Sequence, residues 1–460
     1  MYASIFTFFL TGSIFTGLLW QLVKIKILLW QLGSRSSLFQ LLNVTGNLLL
    51  APGSRLWPNQ RDASRLPPNP AMPRSREPCC PWSDGLPSEL LDIILRYLTC
   101  HADRVYFAAV CRAWRSAAHV HKALPCQLPL LLLPSPVAPS FLSLHSGATR
   151  CLYLPESVRA ARLCGSHEGG WVALAFDQWQ GYAAVNLCSG AKVPLPDRLR
   201  IPSARWIDAD REHPMVIRTV TFSGAPSTEG CLAAAHVSST CSIAFWRTGM
   251  DRHWIAYMGD VYHIQDMIYY KGGFHVLSAT EDVVVYTPNI NGAPLVMSRT
   301  TYLMQKRADY KPDGVLPKSH RMSRYLVESR GKLLMVLRLF RPNRRREFRI
   351  FEMKLAGAGG SESSWAELHA LPGRVILLGK GCSRAFEVSQ SDRLPVGNIY
   401  YLDDTSFNLS LALSNGSRHS STDMGVHGFH KTLGKTRRAR CGIPYEFTSE
   451  CGSLPMWFIP

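Results

Sequence analysis

With 460 residues, 46% hydrophobic and 18% charged, the chain has the make-up of a globular protein with room for about two or three domains. Its formal charge of +18 permits a nuclear location or attraction to acidic partners, and carries no information about fold. The 13 cysteines include no Cys-x-x-Cys pair and no Cys/His cluster at zinc spacing, which excludes the usual zinc modules and fits reduced thiols in a cytosolic or nuclear protein.

Residues 1–50 stand apart. Tyr2 to Val23 holds no charged residue and is long enough to span a bilayer. Lys24, Lys26 and Arg35 follow it, a flank that would leave the rest of the chain cytoplasmic. No basic region precedes the apolar run, which argues against a cleaved signal peptide. Three readings are open: a membrane anchor at 2–23, an upstream extension outside the functional protein from an incorrect start site, or a buried or loosely ordered helix. Asn43-Val44-Thr45 is a glycosylation sequon that the cytoplasmic side would leave unused. Residues 51–81, rich in Pro with Arg, Ser and Asn, read as a linker, so the first boundary falls near 82.

Residues 82–122 read as a small helical unit. Pro87 suits a first helical turn, and Glu89 sits near the positive end of the helix dipole. Leu90, Leu91, Ile94, Leu95 and Leu98 then fall at helical spacing and form a wide apolar stripe. Asp103 is a candidate N-cap for a second run carrying Val105, Phe107, Val110, Cys111 and Trp114. So much apolar surface in so short a unit suggests that one face is kept for a partner. An ordinary helical hairpin within a larger core is the plainer reading.

The series Leu86-Pro87-x-x-Leu90-Leu91-x-x-Ile94-Leu95-x-x-Leu98, followed by Val110-Cys111-Arg112-x-Trp114-Arg115, resembles the F-box of plant F-box proteins. The resemblance implies docking onto a Skp-type adaptor, and through it a cullin scaffold, in a Skp–cullin–F-box ubiquitin ligase. Resemblance and apolar spacing together assign Leu86, Pro87, Leu90, Ile94, Leu98, Val110, Cys111 and Trp114 to adaptor binding. Some of these must pack the unit internally, and the sequence does not divide the two roles. The resemblance also favours the start-site reading of residues 1–50, since such proteins usually begin shortly before the F-box.

Residues 123–139 read as a connector. Leu130 to Leu133, flanked by Pro129 and Pro134, is too interrupted for a helix and suits a leading strand or a packed linker. From about 140 the pattern turns to short β-rich runs. Trp171–Phe176 and Tyr182–Leu187 read as a first pair of strands. Met267–Tyr270, Phe274–Leu277 and Val283–Tyr286 follow, and Tyr325–Ser329, Lys332–Leu337 and Phe348–Met353 repeat the theme. Arg374–Leu378 and Asn398–Leu402 end it. Glycine-marked turns between these runs suggest a repeat of small antiparallel sheets, hence a β-propeller of undetermined blade number, with a β-sandwich pair as the alternative. Three stretches, Tyr325–Val336, Leu378-Gly379-x-x-Cys382-Ser383 and Gly397–Asp404, together with the closing Trp457-Phe458-x-Pro460, resemble the KIB-type β-propeller of plant F-box proteins. Residues 405–445 read as an inserted polar loop. The fold class is thus α+β multidomain, a small all-α F-box followed by an all-β, propeller-like repeat domain over 140–460.

No Gly-x-Ser-x-Gly elbow, phosphate-cradling glycine loop or His-Glu-x-x-His motif occurs, so no catalytic residue, cofactor or metal is expected. Cys382 reads as a packed thiol. Asp403-Asp404 reads as a polar turn, with cation binding the sharper alternative. Arg344-Arg345-Arg346 and the Lys435, Arg437, Arg438, Arg440 group read as solvated loop charge, or else as import or acidic-ligand patches. They lack the interleaved aromatics of a nucleic-acid platform. The expected function is substrate recognition in a ubiquitin ligase, in the cytoplasm or nucleus or both, with no intrinsic enzyme. The alternative is a membrane-anchored or soluble scaffold that binds partners without ubiquitination, its F-box facing the cytoplasm if anchored. The target protein is not legible.

Overall fold

The computed structural model describes residues 87–97, 107–108 and 110–120, then residues 129–460 apart from 145–146, 152–153, 155, 177–180, 202–211, 239–240, 258–262, 290–294, 311–320, 341–345, 357–361, 389–393, 405–406, 411–412, 414–418, 430–442, 444–446 and 450–451. The chain divides into two compact units, Met1–Gln127 and Leu128–Pro460. The apolar segment 2–23 and the linker 51–81 lie outside the described residues. Among the described residues no helix is long and apolar enough to cross a membrane.

The first unit contains α1 (Ser88–Tyr97) and α2 (Arg112–Val120). The second opens with β1 (Leu130–Leu133), β2 (Ser140–Ser143) and β3 (Thr149–Cys151), followed by the short α3 (Glu156–Arg159). Next come β4 (Arg162–His167), β5 (Trp171–Ala175), β6 (Tyr182–Asn186) and β7 (Lys192–Leu195), then β8 (Arg198–Arg200) and β9 (Glu212–Pro214). The third group is β10 (Val216–Phe222), β11 (Leu232–Ser238), β12 (Ile243–Arg247) and β13 (Trp254–Ala256). Then follow β14 (Ile264–Tyr270), β15 (Gly273–Ser278), β16 (Val283–Asn289) and β17 (Val296–Tyr302), and after them β18 (Arg321–Ser329), β19 (Lys332–Phe340), β20 (Arg346–Lys354) and β21 (Ser364–Leu368). The last part holds β22 (Arg374–Leu378), β23 (Arg384–Glu387), β24 (Asn398–Tyr401), β25 (His419–Ser421), β26 (Gly425–Gly428), β27 (Phe447–Ser449) and β28 (Met456–Phe458).

These strands form a six-bladed β-propeller. In chain order the blades are β4-β5-β6-β7, β10-β11-β12-β13 with β8 and β9 added at its outer edge, β14-β15-β16-β17, β18-β19-β20-β21, β23-β22-β24-β26 and β28-β1-β2-β3. The innermost strands β4, β10, β14, β18 and β23 neighbour one another in that order, and β28 returns to β4. A closed ring of small sheets leaves only short outer edges, which is why a propeller and not a sandwich accommodates this many short strands.

Each strand side chain alternates between two faces, and both faces are buried in a propeller. Leu131 and Leu133 pack toward Val375, Leu377 and Tyr400 of the fifth blade, whereas Leu132 packs toward Val172, Leu174 and Ala183 of the first. Leu333, Met335 and Leu337 fill the seam with the third blade, and Leu334 and Val336 the seam with the fifth. This two-sided burial explains why the runs read as continuous apolar stretches without polar alternation. Two hairpins turn on Lys271-Gly272 and Arg330-Gly331. Both residues of each pair have positive φ, the combination that matches the right-handed twist of the flanking strands.

Three features depart from the sequence reading. The propeller begins at Leu130 and not at 140, because Leu130–Leu133 lies between β2 and β28 and is needed to complete the sixth blade. The segment 405–445 is not simply a loop: β26 is the outer strand of the fifth blade, and β25 pairs with β27. Within the fifth blade β22 and β24 run parallel, an arrangement a hairpin cannot join; β23 lies between them in the chain and pairs on the other side of β22.

Candidate protein-docking site

In the helical unit the carbonyl of Pro87 accepts the N–H groups of Leu90 at 3.1 Å and Leu91 at 3.2 Å, so Pro87 stands just ahead of α1 and starts it. Leu91 and Leu95, one turn apart on α1, point inward and close on Phe107, Trp114 and Ala117. The rings of Phe107 and Trp114 stack tilted at 4.5 Å. Arg115 of α2 donates its Nε–H to the carbonyl of Ala108 at 3.2 Å and ties α2 to the segment that carries Phe107.

The residues assigned to adaptor binding separate into groups. Trp114 is buried, so it belongs to the core of the unit and not to its surface. Val110 and Cys111 are half-buried and pack against that core. Pro87 is exposed, and Leu90 and Ile94 are half-buried. Leu86 and Leu98 lie outside the described residues. Ile93, which the sequence reading passed over, is 43% exposed. Leu90, Ile93 and Ile94 stand at positions i, i+3 and i+4, so they share one face of α1. On that face Ile94 packs against the core with Val110 and Cys111, Leu90 is half-buried, and Ile93 is the apolar side chain left exposed.

The propeller's polar groups are mostly spoken for. Asp403 is buried and accepts the Thr422 N–H at 2.8 Å. Asp404 accepts the Tyr325 hydroxyl at 2.6 Å and the Lys380 N–H at 2.9 Å. The pair therefore acts as a set of acceptors for internal donors and not as a solvated turn. Burial drives the Tyr325 phenol well above its ordinary range, with the Asp404 charge adding to the effect. Burial likewise pushes the Cys382 thiol up to about 12, in keeping with a packed, unreactive side chain. Arg346 is not loop charge: its Nε donates to both Asp423 oxygens at 2.8 Å. Arg344, Arg345 and the Lys435–Arg440 group lie outside the described residues. Among the described residues no three His, Cys, Asp or Glu side chains converge as a metal site.

A family model described as KIB1-4 beta-propeller matches residues 141–428, more than half of the chain. A second, described as F-box-like, matches residues 83–124. No curated protein matches. Among solved structures the chain is similar to one of a nidogen/laminin complex, with 10% identity, 49% of this chain and 85% of that chain covered, and a TM-score of 0.27. It is similar to a chain of the S. cerevisiae assembly of dbp5 with nup159, gle1, IP6 and ADP, with 11% identity, coverage of 60% and 80%, and a TM-score of 0.29. It is also similar to the Myceliophteria thermophila Cps50 (Swd1) β-propeller domain, with 10% identity, coverage of 65% and 96%, and a TM-score of 0.26. Likenesses this distant carry no functional weight.

Proposed function

The chain belongs to the KIB1-4 β-propeller family and carries an F-box-like domain, and on that premise we propose that it is the target-recognition subunit of a Skp–cullin–F-box ubiquitin ligase. F-box and propeller together support a protein-interaction role. In the finer reading the F-box holds a Skp-type adaptor and the propeller presents a target protein. The observation that carries it is the exposed Ile93, beside half-buried Leu90, on a helix whose other side is already locked into a core.

The contribution of this chain is proximity. Binding adaptor and target at once raises the effective concentration of a target lysine near ubiquitin charged on another subunit. No residue of this chain needs to touch the ubiquitin thioester. We place the protein in the cytoplasm or nucleus; a membrane-anchored scaffold is the rival because Tyr2–Val23 carries no charge.

The test is co-purification of a Skp-type adaptor and a cullin with the full chain and with an Ile93→Asp variant. Adaptor and cullin bound by the wild type and lost from a variant of unchanged circular dichroism is the expected result. A folded wild type that retains neither overturns the ligase reading. Membrane fractionation of the same protein decides the rival.

A further inference from the structure

The connection from β22 to β23, Gly379-Lys380-Gly381-Cys382-Ser383, lies where all six blades meet. Lys380 Nζ donates to the carbonyl of Gln265 in β14 and to that of Arg324 in β18, the latter at 2.9 Å. The Gly381 carbonyl accepts the N–H of Ser166 in β4 at 3.2 Å. A Cβ placed on Gly381 would stand 3.3 Å from Thr219 of β10. Just ahead of the loop, the Leu378 carbonyl accepts the indole N–H of Trp457 in β28 at 2.9 Å. Elements of six blades come together only at the propeller axis. Cys382 packs into the core between the fifth and sixth blades, and Asp404 accepts the Lys380 N–H, so the loop is a fixed wall of that axis.

Against this wall lies a small cavity with room for about one water molecule. Ser166 of the first blade, Thr221 of the second, Asp266 of the third, and Ser383 and Arg384 of the fifth are among its lining residues. Ser166 is 4% exposed, and its Oγ makes no hydrogen bond within the protein. A hydroxyl taken out of water is costly to leave without a partner. Its neighbours have capacity to spare. The Asp266 carboxylate accepts the N–H of Met267 on one oxygen and that of Leu326 on the other, both at 2.9 Å, and each oxygen keeps a further lone pair. Thr221 Oγ1 donates to the Met267 carbonyl at 3.2 Å and is still able to accept.

The charges select the guest. Lys380 and Asp404 both act on Asp266, and Arg384 lines the cavity, so two carboxylates stand against two cations. Glu168, 3.9 Å from Arg384, is exposed. Burial holds His167 and His236 at about 4, so neither carries charge at pH 7. An incoming cation meets the Arg384 guanidinium, and an incoming anion meets the Asp266 carboxylate. A neutral molecule that both donates and accepts escapes both penalties, and water is the one that fits the space. We propose that this cavity is a built site for one ordered water, which accepts from the Ser166 hydroxyl and donates to the Asp266 carboxylate. Thr221 Oγ1 is the acceptor available to its second hydrogen. The water joins the first and third blades, which no strand pairing connects.

The experiment determines crystal structures of the full chain and its Ser166→Val variant at a resolution that shows ordered solvent, and counts long-lived waters of both in solution by oxygen-17 relaxation dispersion. Valine removes the hydroxyl and sets a methyl group in its place. In the wild type, a peak of one water's density is expected within about 3.2 Å of Ser166 Oγ and of an Asp266 oxygen. In the variant that peak should be lost, and the count of long-lived waters should fall by about one. A wild-type site without the peak overturns the proposal, as does a Ser166 hydroxyl turned to a protein acceptor. A peak ringed by several oxygens at about 2.0–2.6 Å is a metal ion and overturns it too. A peak and a water count unchanged by Ser166→Val remove Ser166 from the site and overturn it. If the variant does not fold, the wild-type peak decides alone.

Discussion

Leu131 of β1 stands directly opposite Trp457 of β28 in an antiparallel pairing that joins the first and last strands of the propeller. Trp457 is fully buried in the seam between the fifth and sixth blades, and its indole N–H reaches across to Leu378. The ring is thus fastened by one short ladder of three residue pairs. Trp457→Ala should cost about 3–5 kcal/mol, the usual range for removing a buried large aromatic. Urea unfolding of the full chain checks this, with an equally buried apolar residue of a mid-blade strand, Val336→Ala, as the smaller reference.

In the helical unit, the division between core and surface predicts two kinds of variant. Trp114→Ala should abolish adaptor binding together with the helical signal of the unit, because its ring fills the core against Phe107. Ile93→Ala should weaken adaptor binding with the helices intact. An interface anchor of this kind is worth about 2 kcal/mol, or roughly thirtyfold in affinity. Binding measured beside circular dichroism separates the two.

Acid should weaken the propeller. His167 is held down to about 4 by burial and then by the charge of Arg384; His236 is held down to about 4 by burial and then by Arg218 and Lys380. Their folded values lie below the unfolded one, so the folded state binds fewer protons and loses stability as pH falls from about 6.5 toward 4. Asp266 acts in the opposite sense. Burial raises it to about 6, so the folded state gains from its protonation below that pH. Two histidines against one carboxyl leave a net loss. Urea midpoints between pH 7 and pH 5 should therefore fall, more steeply in Asp266→Asn and less steeply in His236→Gln.

At the outer end of the seam between the fourth and fifth blades, Arg338 donates to Asp423 at 2.7 Å and to the Leu402 carbonyl at 2.7 Å, with its guanidinium 4.4 Å from the Phe340 ring and 4.3 Å from the Tyr401 ring. Asp423→Ala leaves that buried cation, and Arg346 beside it, without its carboxylate. It should cost about 3–5 kcal/mol. Adding Arg338→Met should recover part of the loss, since an unbranched apolar chain fits between the same rings. A double-mutant cycle read by urea unfolding tests the coupling.

Local patterns were legible and distant pairings were not. The stretch Lys332–Phe340 announces a strand buried on both faces, and the spacing of Leu91 and Leu95 announces the inward side of α1. Ile93 was missed because a motif read as Leu-Leu-x-x-Ile-Leu assigns its position to the variable set, whereas exposure is decided by which neighbours fold over it. The pairing of β1 with β28 and the parallel step from β22 to β24 depend on residues brought together only by closure of the ring. Gly379-Lys380-Gly381 resembles any surface turn until five other blades surround it. Asp403 and Asp404 looked solvated for the same reason: a charge run gives no sign of the donors that will bury it.

The ladder between β1 and β28 also sets a schedule for synthesis. A ribosome making this chain releases β1 early, and that strand must wait, its Leu130–Leu133 run unshielded on one edge, until Met456–Phe458 emerges. At about 5–20 residues per second the wait lasts some tens of seconds. During it the propeller cannot be complete, and a four-leucine strand is free to pair with the wrong chain. The same edge that fastens the finished ring is therefore the place where a newborn copy is most in need of a chaperone.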